Sequence, residues 1–94
     1  MRPPAPDLPA LLDAIRRKPD RGFHWLALAA WLCGRGRYDE AAAVRVFWPQ
    51  FRDYILAGHS VHLTLRRLAR QPALWGQRAR QFEHQRRAHL LAPA

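Results

Sequence analysis

Apolar residues recur along most of the chain at the three- and four-residue spacings that are typical of amphipathic helices. The first set predicts a helix over residues 8–18, with Asp7 placed to cap its N-terminus. Its members are Leu8, Leu11, Leu12 and Ile15. Because Pro19 disfavours helical geometry at the residue before it, we expect the first helix to end there.

The second helix, predicted over residues 21–33 with Asp20 as its cap, is apolar on almost every side. One apolar stripe consists of Phe23, Leu26, Ala27, Ala30 and Trp31, and a second consists of Trp25, Leu28 and Leu32. A helix that is apolar all round is enclosed by its neighbours, so we expect this helix at the centre of the core. Trp25 lies on the second stripe and is the best candidate for an exposed aromatic residue.

A tight turn over residues 34–37 predicts that the second and third helices form an antiparallel hairpin, because its two glycines tolerate positive φ. Asp39 and Glu40 fall in the first turn of the third helix, where carboxylates interact favourably with the helix dipole. Its apolar stripe consists of Val44, Phe47, Trp48, Phe51 and Ile55. Since this stripe continues across Pro49, we expect a kink there and not a new helix.

Ser60 is placed to cap a fourth helix that ends near Gln71, and Pro72 suits the first turn of a fifth. The apolar positions are Val61, Leu65 and Leu68, followed by Trp75, Ala79 and Phe82. The chain is therefore predicted to be a single all-α domain over residues 1–94, a compact bundle of about five helices. We expect residues 1–7 and 88–94 to fray.

The composition is typical of one folded domain without disulfides and without a membrane span. A chain of 94 residues with 49% hydrophobic content can enclose one modest core. Cys33 is the only cysteine, so no disulfide forms within the chain, and a reducing cytoplasm fits best. The most apolar run, residues 23–33, is about half of the ~20 residues that a membrane span needs, and it predicts a core helix and no membrane span.

Residues 11–46 also carry a family resemblance. The stretch LLDAIRRKPDRGFHWLALAAWLCGRGRYDEAAAVRV resembles, without gaps, the bacterial repeat-companion domain, a short helical module often found beside leucine-rich and other repeats. The residues that carry the resemblance are Leu11, Leu12, Ala14, Ile15, Pro19, Asp20, Leu26, Ala29, Trp31, Leu32, Arg35, Gly36, Ala41, Val44 and Arg45. The family has acidic residues where Arg21, Gly22 and Ala30 stand here. The resemblance implies a helical fold and an interaction role.

The same region is more weakly similar to a single tetratricopeptide-type helix hairpin, through Trp25, Leu28, Ala29, Gly36, Tyr38 and Ala41. Arg45 departs from that pattern, since the repeat has a large apolar residue at this position. No second copy follows, whereas such arrays need about three repeats for stability. Both resemblances imply paired antiparallel helices that present a surface.

The sequence gives no indication of a catalytic, cofactor or metal site. His59 and His62 are three residues apart, but no third ligand accompanies them, and we interpret them as capping or surface histidines. Cys33 closes an apolar helix and is expected to be a buried structural thiol. Gly34 and Gly36 lack the longer glycine pattern of a phosphate-binding loop.

Charge is the strongest remaining signal. The chain carries a net charge of +9, and residues 59–94 hold seven arginines against one glutamate, which gives that segment +6. The candidate nucleic-acid-binding residues are Arg66, Arg67, Arg70, Arg78, Arg80, Arg86 and Arg87. A solvated basic face, produced by codon usage in a GC-rich genome, is the simpler alternative.

Two functions follow as hypotheses. The first is a non-enzymatic interaction module that docks on a protein partner, with Phe23, Trp25 and Leu28 as the candidate interface. The alternative is a small nucleic-acid-binding protein that uses the C-terminal arginines.

Overall fold

The structure is a computed structural model that describes residues 7–91. Its helices, in chain order, are α1 (Leu8–Arg17), α2 (Gly22–Gly34), α3 (Tyr38–Leu56), α4 (Val61–Arg70) and α5 (Pro72–Leu91). No strand lies within the described range, so the predicted all-α fold is confirmed. Residues 1–6 and 92–94, predicted to fray, lie outside the described residues, whereas residues 88–91 continue α5.

Two helices begin with the capping contacts that the sequence predicts. The Asp7 carboxylate accepts a hydrogen bond from the backbone N–H of Ala10 at 3.0 Å. The Ser60 hydroxyl accepts one from the backbone N–H of Leu63 at 3.4 Å. Each contact satisfies an N–H group that has no partner within its own helix.

The predicted cap of α2 is wrong. Arg21, and not Asp20, is the residue that precedes the first turn, and no side chain caps this helix. Asp20 lies in the turn that follows the buried Pro19, one residue too early for its carboxylate to act as the cap.

The hairpin between α2 and α3 is confirmed, with Gly36 at φ 74° in the connecting turn. The backbone N–H of Arg37 donates to the carbonyl of Leu32 at 2.9 Å, which closes α2. The Arg37 guanidinium donates to both carboxylate oxygens of Glu40, with a distance of 3.0 Å from Nε to Oε1. The buried Glu40 carboxylate is thereby paired, which offsets the cost of removing its charge from water.

α3 runs through Pro49 as one helix. An internal proline removes a backbone hydrogen bond and costs about 3 kcal/mol. Val44 and Phe51, one on each side of Pro49, are both buried in the core, so the two halves of the helix are held by contacts with α2 and α5. Burial of the continuous apolar stripe offsets the cost of the proline.

The structure reverses the expected roles of the two stripes on α2. Trp25 and Leu28, predicted to be available to a partner, are only 1% and 0% exposed. The Trp25 indole N–H donates to the carbonyl of Pro19 at 2.8 Å, and its ring packs near Phe51 at a centroid distance of 6.1 Å. A buried tryptophan requires such a partner for its N–H group, and the preceding turn supplies one.

Small residues explain why this stripe faces the core. Gly22 and Ala29 lie on it together with Trp25, and a Cβ atom at Gly22 would stand 3.0 Å from the Trp48 ring of α3. The absence of a side chain at Gly22 therefore allows α2 and α3 to approach closely.

We expect Trp25→Phe to lower the free energy of unfolding by about 1–3 kcal/mol, because it leaves the buried Pro19 carbonyl without its donor. Urea unfolding followed by circular dichroism measures the change. The matched control is Trp31→Phe, since Trp31 is half-buried and its indole makes no hydrogen bond to another described residue. Equal losses in the two variants would contradict a specific role for the Trp25 N–H group.

α3 also packs extensively against α5, and its first turn fixes the position of that helix. The Asp39 carboxylate accepts a hydrogen bond from the Arg80 guanidinium at 2.9 Å, across 41 residues of sequence. Gly76 lies directly against Asp39, because a Cβ atom at Gly76 would stand 2.1 Å from Oδ1 and 2.7 Å from Cβ of that residue. The glycine is therefore required by the close approach of the two helices.

Gly76→Ala should lower the free energy of unfolding by about 1–3 kcal/mol, because the added methyl group forces α5 away from α3. Gly34→Ala is the control, since nothing lies within 4 Å of a Cβ at Gly34. That variant should be neutral or up to about 1 kcal/mol more stable. Urea unfolding of both variants tests this, and an unchanged midpoint for Gly76→Ala would refute the steric account.

Candidate interaction surfaces

The stripe of α2 that does not face the core lies at the surface. Phe23 is 62% exposed and Leu26 is 51% exposed, and Ala30 is also exposed one turn further along. Ala27 and Trp31 are half-buried beside them. These five residues are the α2 apolar face. α2 carries no Asp, Glu, Lys or Arg, and its histidine, His24, packs its ring against Phe23 at a centroid distance of 4.1 Å. The face is therefore largely apolar, and exposed apolar surface of this kind marks interaction sites on small proteins.

A groove adjoins this face, between the beginning of α1 and the second half of α2, with a volume of about 720 Å³. Its apolar lining consists of Leu8, Pro9, Ala27, Ala30 and Trp31, and Asp7 and Arg35 supply its charges. The Arg35 guanidinium lies 4.6 Å from the centre of the Trp31 ring, which holds the ring in place through a cation–π contact.

Basic residues lie at both ends of the α2 apolar face. Lys18 and Arg21 are exposed before the first turn of α2, and Arg35 is exposed after its last residue. None of the three forms an ion pair among residues 7–91. Asp20, next to Arg21, is the nearby acid at the first end, and Asp7 is the acid of the groove.

Of the three residues predicted to form the interface, only Phe23 is available. The prediction is wrong for Trp25 and Leu28, because their side chains are buried in the core between α2 and α3. The periodicity predicts that Leu26 and Ala30 are enclosed by neighbouring helices, whereas the structure exposes both. Two apolar stripes on one helix indicated that one of them is left for a partner, but the sequence did not indicate which stripe is buried.

The predicted nucleic-acid-binding arginines are all exposed but do not form one surface. Arg80 is paired with Asp39 of α3, and Arg78 lies over the Trp75 ring at 5.5 Å. The remaining five divide between α4, which carries Arg66, Arg67 and Arg70, and the end of α5, which carries Arg86 and Arg87. Arg86 lies 14 residues after Pro72, roughly 20 Å along the helix at 1.5 Å per residue.

Arg86 and Arg87 meet Arg45 of α3 around a second groove, with a volume of about 330 Å³. Glu83 is the fourth charged residue of this α3–α5 groove, and Val46, Phe82 and Leu90 form its apolar part. Arg45 was not among the predicted site residues. Its signal was a charge at a position where the tetratricopeptide pattern has a large apolar residue, because that position faces this groove and not a core.

His59 and His62 are exposed and lie beside a further groove that also contains Asp13 and Arg16. Arg16 donates a hydrogen bond to the Asp13 carboxylate at 2.8 Å, which lowers the pKa of that carboxyl. Within residues 7–91, no three side chains of the metal-ligating types converge. Cys33 is half-buried and packs against the core. None of the described helices has the length and apolar character needed to cross a membrane.

Comparisons of the chain with protein-family models, with curated proteins and with solved structures found no match. The resemblance of residues 11–46 to the bacterial repeat-companion domain stays a prediction. The two surfaces are therefore interpreted from their own chemistry.

Proposed function

We propose that this protein is a non-enzymatic helical interaction module that docks on a protein partner through the α2 apolar face. The observation that supports the proposal is the exposure of Phe23, Leu26 and Ala30 at successive turns of a helix whose other stripe is buried. More than half of the surface of Phe23 and of Leu26 faces solvent. A partner that covers them gains about 1.5–3 kcal/mol for each side chain that it buries fully.

The shape of the face favours a helix as the docking element. From Phe23 to Trp31 the face extends over eight residue steps, about 12 Å at 1.5 Å per residue, which is a little more than two turns. Its apolar side chains recur at the spacings with which helices recognise one another. The adjoining groove beside Trp31 offers a place for a larger apolar side chain of the partner.

Charge complementarity defines the chemistry of the partner. Lys18 and Arg21 at one end of the face and Arg35 at the other form no ion pair within residues 7–91, so each can pair with a carboxylate of a partner. The net charge of +9 opposes the association of two copies of the chain. The partner element is therefore an amphipathic helix with an apolar stripe and acidic residues at its ends, carried by another protein.

The predicted resemblance to the repeat-companion domain agrees with this proposal, since it also implies an interaction role. Leu32, Ala41 and Val44, three residues that carry the resemblance, are buried between α2 and α3. They maintain the hairpin that presents the face. The lone Cys33 fits a reducing compartment, and we place the interaction in the cytoplasm.

The test uses a displayed library of amphipathic helical peptides of about 15 residues, long enough to match the face, with glutamates at both ends. Selected peptides are measured by calorimetry against the wild-type chain and against Phe23→Ala, Leu26→Ala and Ala30→Asp. Each substitution should weaken binding at least about tenfold, because hot-spot side chains lose that much or more on truncation. Ala30→Asp places a charge in the middle of the face without removing a core contact.

Leu63→Ala is the matched control, since Leu63 of α4 is 42% exposed and lies away from the face. Its affinity for the peptides should equal that of the wild type. Peptides that bind all variants alike, or a library that yields no binder, would refute the proposal. The alternative occupant of the face is a second copy of the chain, which analytical sedimentation tests. A dimer of the wild-type chain that Ala30→Asp abolishes would show that a second copy covers the face.

A further inference from the structure

The α3–α5 groove is lined by three arginines and one half-exposed aromatic ring. Arg45 comes from α3, and Arg86 and Arg87 come from the last turns of α5. All three are exposed, and none forms an ion pair within residues 7–91. Glu83 also lies on the groove and pairs with none of them, so the groove keeps an excess of two positive charges.

Several arginines elsewhere in the described chain are instead paired with carboxylates. Arg16 and Arg17 pair with Asp13, Arg52 with Asp53, and Arg80 with Asp39. The guanidinium groups of the α3–α5 groove are thus available to an external anion. Their planar donor arrangement matches phosphate, with which arginine forms paired hydrogen bonds.

Phe82 supplies the aromatic part of the groove. It is 45% exposed, and the buried part of its ring makes an edge contact with Phe47 at a centroid distance of 5.7 Å. Phe47 in turn makes an edge contact with Trp75 at 6.0 Å. The Phe82 ring is therefore held in place by an aromatic cluster while almost half of it faces solvent, so little further ordering is needed when a ligand binds.

We infer that the α3–α5 groove binds single-stranded nucleic acid, with a base stacked on Phe82 and the flanking phosphates held by Arg45, Arg86 and Arg87. Exposed aromatic rings among arginines are the arrangement by which proteins bind single strands without reading their sequence. Bases in a duplex are stacked on one another and cannot lie on a side chain. The groove volume of about 330 Å³ is at the small end of ligand pockets, so it suits a single base and not a duplex.

An acidic peptide would also be attracted by the arginines, but its carboxylate side chains have no flat surface that stacks on the half-exposed Phe82 ring. The nucleic-acid interpretation accounts for both features of the groove. It concerns a different surface from the α2 apolar face, and each can fail without the other.

Fluorescence anisotropy with a labelled ten-nucleotide oligothymidine tests the inference on the full chain at several salt concentrations. Phe82→Ala should weaken binding about fivefold to a hundredfold, because the stacking of one base is removed. The salt dependence should stay the same, since the arginines that hold the phosphates are unchanged. Phe82→Trp keeps an aromatic surface and should restore the affinity, whereas an equal loss in that variant would contradict stacking.

The charge contribution is tested by the triple variant Arg45→Gln, Arg86→Gln and Arg87→Gln. Its slope of log affinity against log salt should fall by about 2, because each phosphate that an arginine neutralises on a single strand contributes ~0.7 to the slope. The matched control is Arg66→Gln, Arg67→Gln and Arg70→Gln on α4, which removes the same charge away from the groove. If both triple variants lose the same affinity, the binding is diffuse attraction and the inference is wrong.

Two further measurements distinguish base stacking from phosphate binding, and the α3–α5 groove from the α2 apolar face. An abasic strand of the same length should bind wild type as weakly as oligothymidine binds Phe82→Ala, and Phe82→Ala should not weaken it further. Phe23→Ala should leave all of these affinities unchanged. A duplex that binds more tightly than the single strand, or no binding of oligothymidine at low salt, would overturn the inference.

Discussion

The position of the Trp25 indole determines how α2 is rotated about its own axis, and the surface of the protein depends on that rotation. The indole is buried, and its N–H group donates to the carbonyl of Pro19 at 2.8 Å. Any rotation that brought Phe23 inward would carry this N–H group away from its acceptor. Such a rotation would also turn the indole outward into water, because Trp25 and Phe23 lie on opposite sides of α2. The loss of the buried indole surface and of its contact with Phe51 thus holds Phe23 and Leu26 at the surface.

α3 is the helix against which the rest of the bundle is arranged. α2 and α5 both pack extensively along it, and each approach depends on a glycine: Gly22 lies against Trp48, and Gly76 lies against Asp39. A helix with close neighbours on two sides can tolerate an internal proline, because burial of its side chains offsets the missing hydrogen bond at Pro49. The same arrangement brings Arg45 of α3 next to Arg86 of α5.

The excess of positive charge is not spread evenly over the molecule. Some arginines pair with acids one turn away, Arg80 pairs with an acid distant in sequence, and others lie over tryptophan rings. Within residues 7–91, Arg45, Arg86 and Arg87 form none of these contacts, and they converge on one groove. A net charge by itself indicates attraction to anions, whereas this convergence gives the attraction a location and an aromatic neighbour.

The sequence by itself determined the five helices, the caps Asp7 and Ser60 and the turn at Gly36, because these features depend on residues within a few positions of one another. Only the tertiary structure decided which stripe of α2 is buried, since both stripes satisfy the same helical period. It also decided the pairing of Asp39 with Arg80 and the meeting of Arg45 with Arg86. These contacts join residues about 40 positions apart, and they arise from how closely whole helices approach, which local periodicity does not specify.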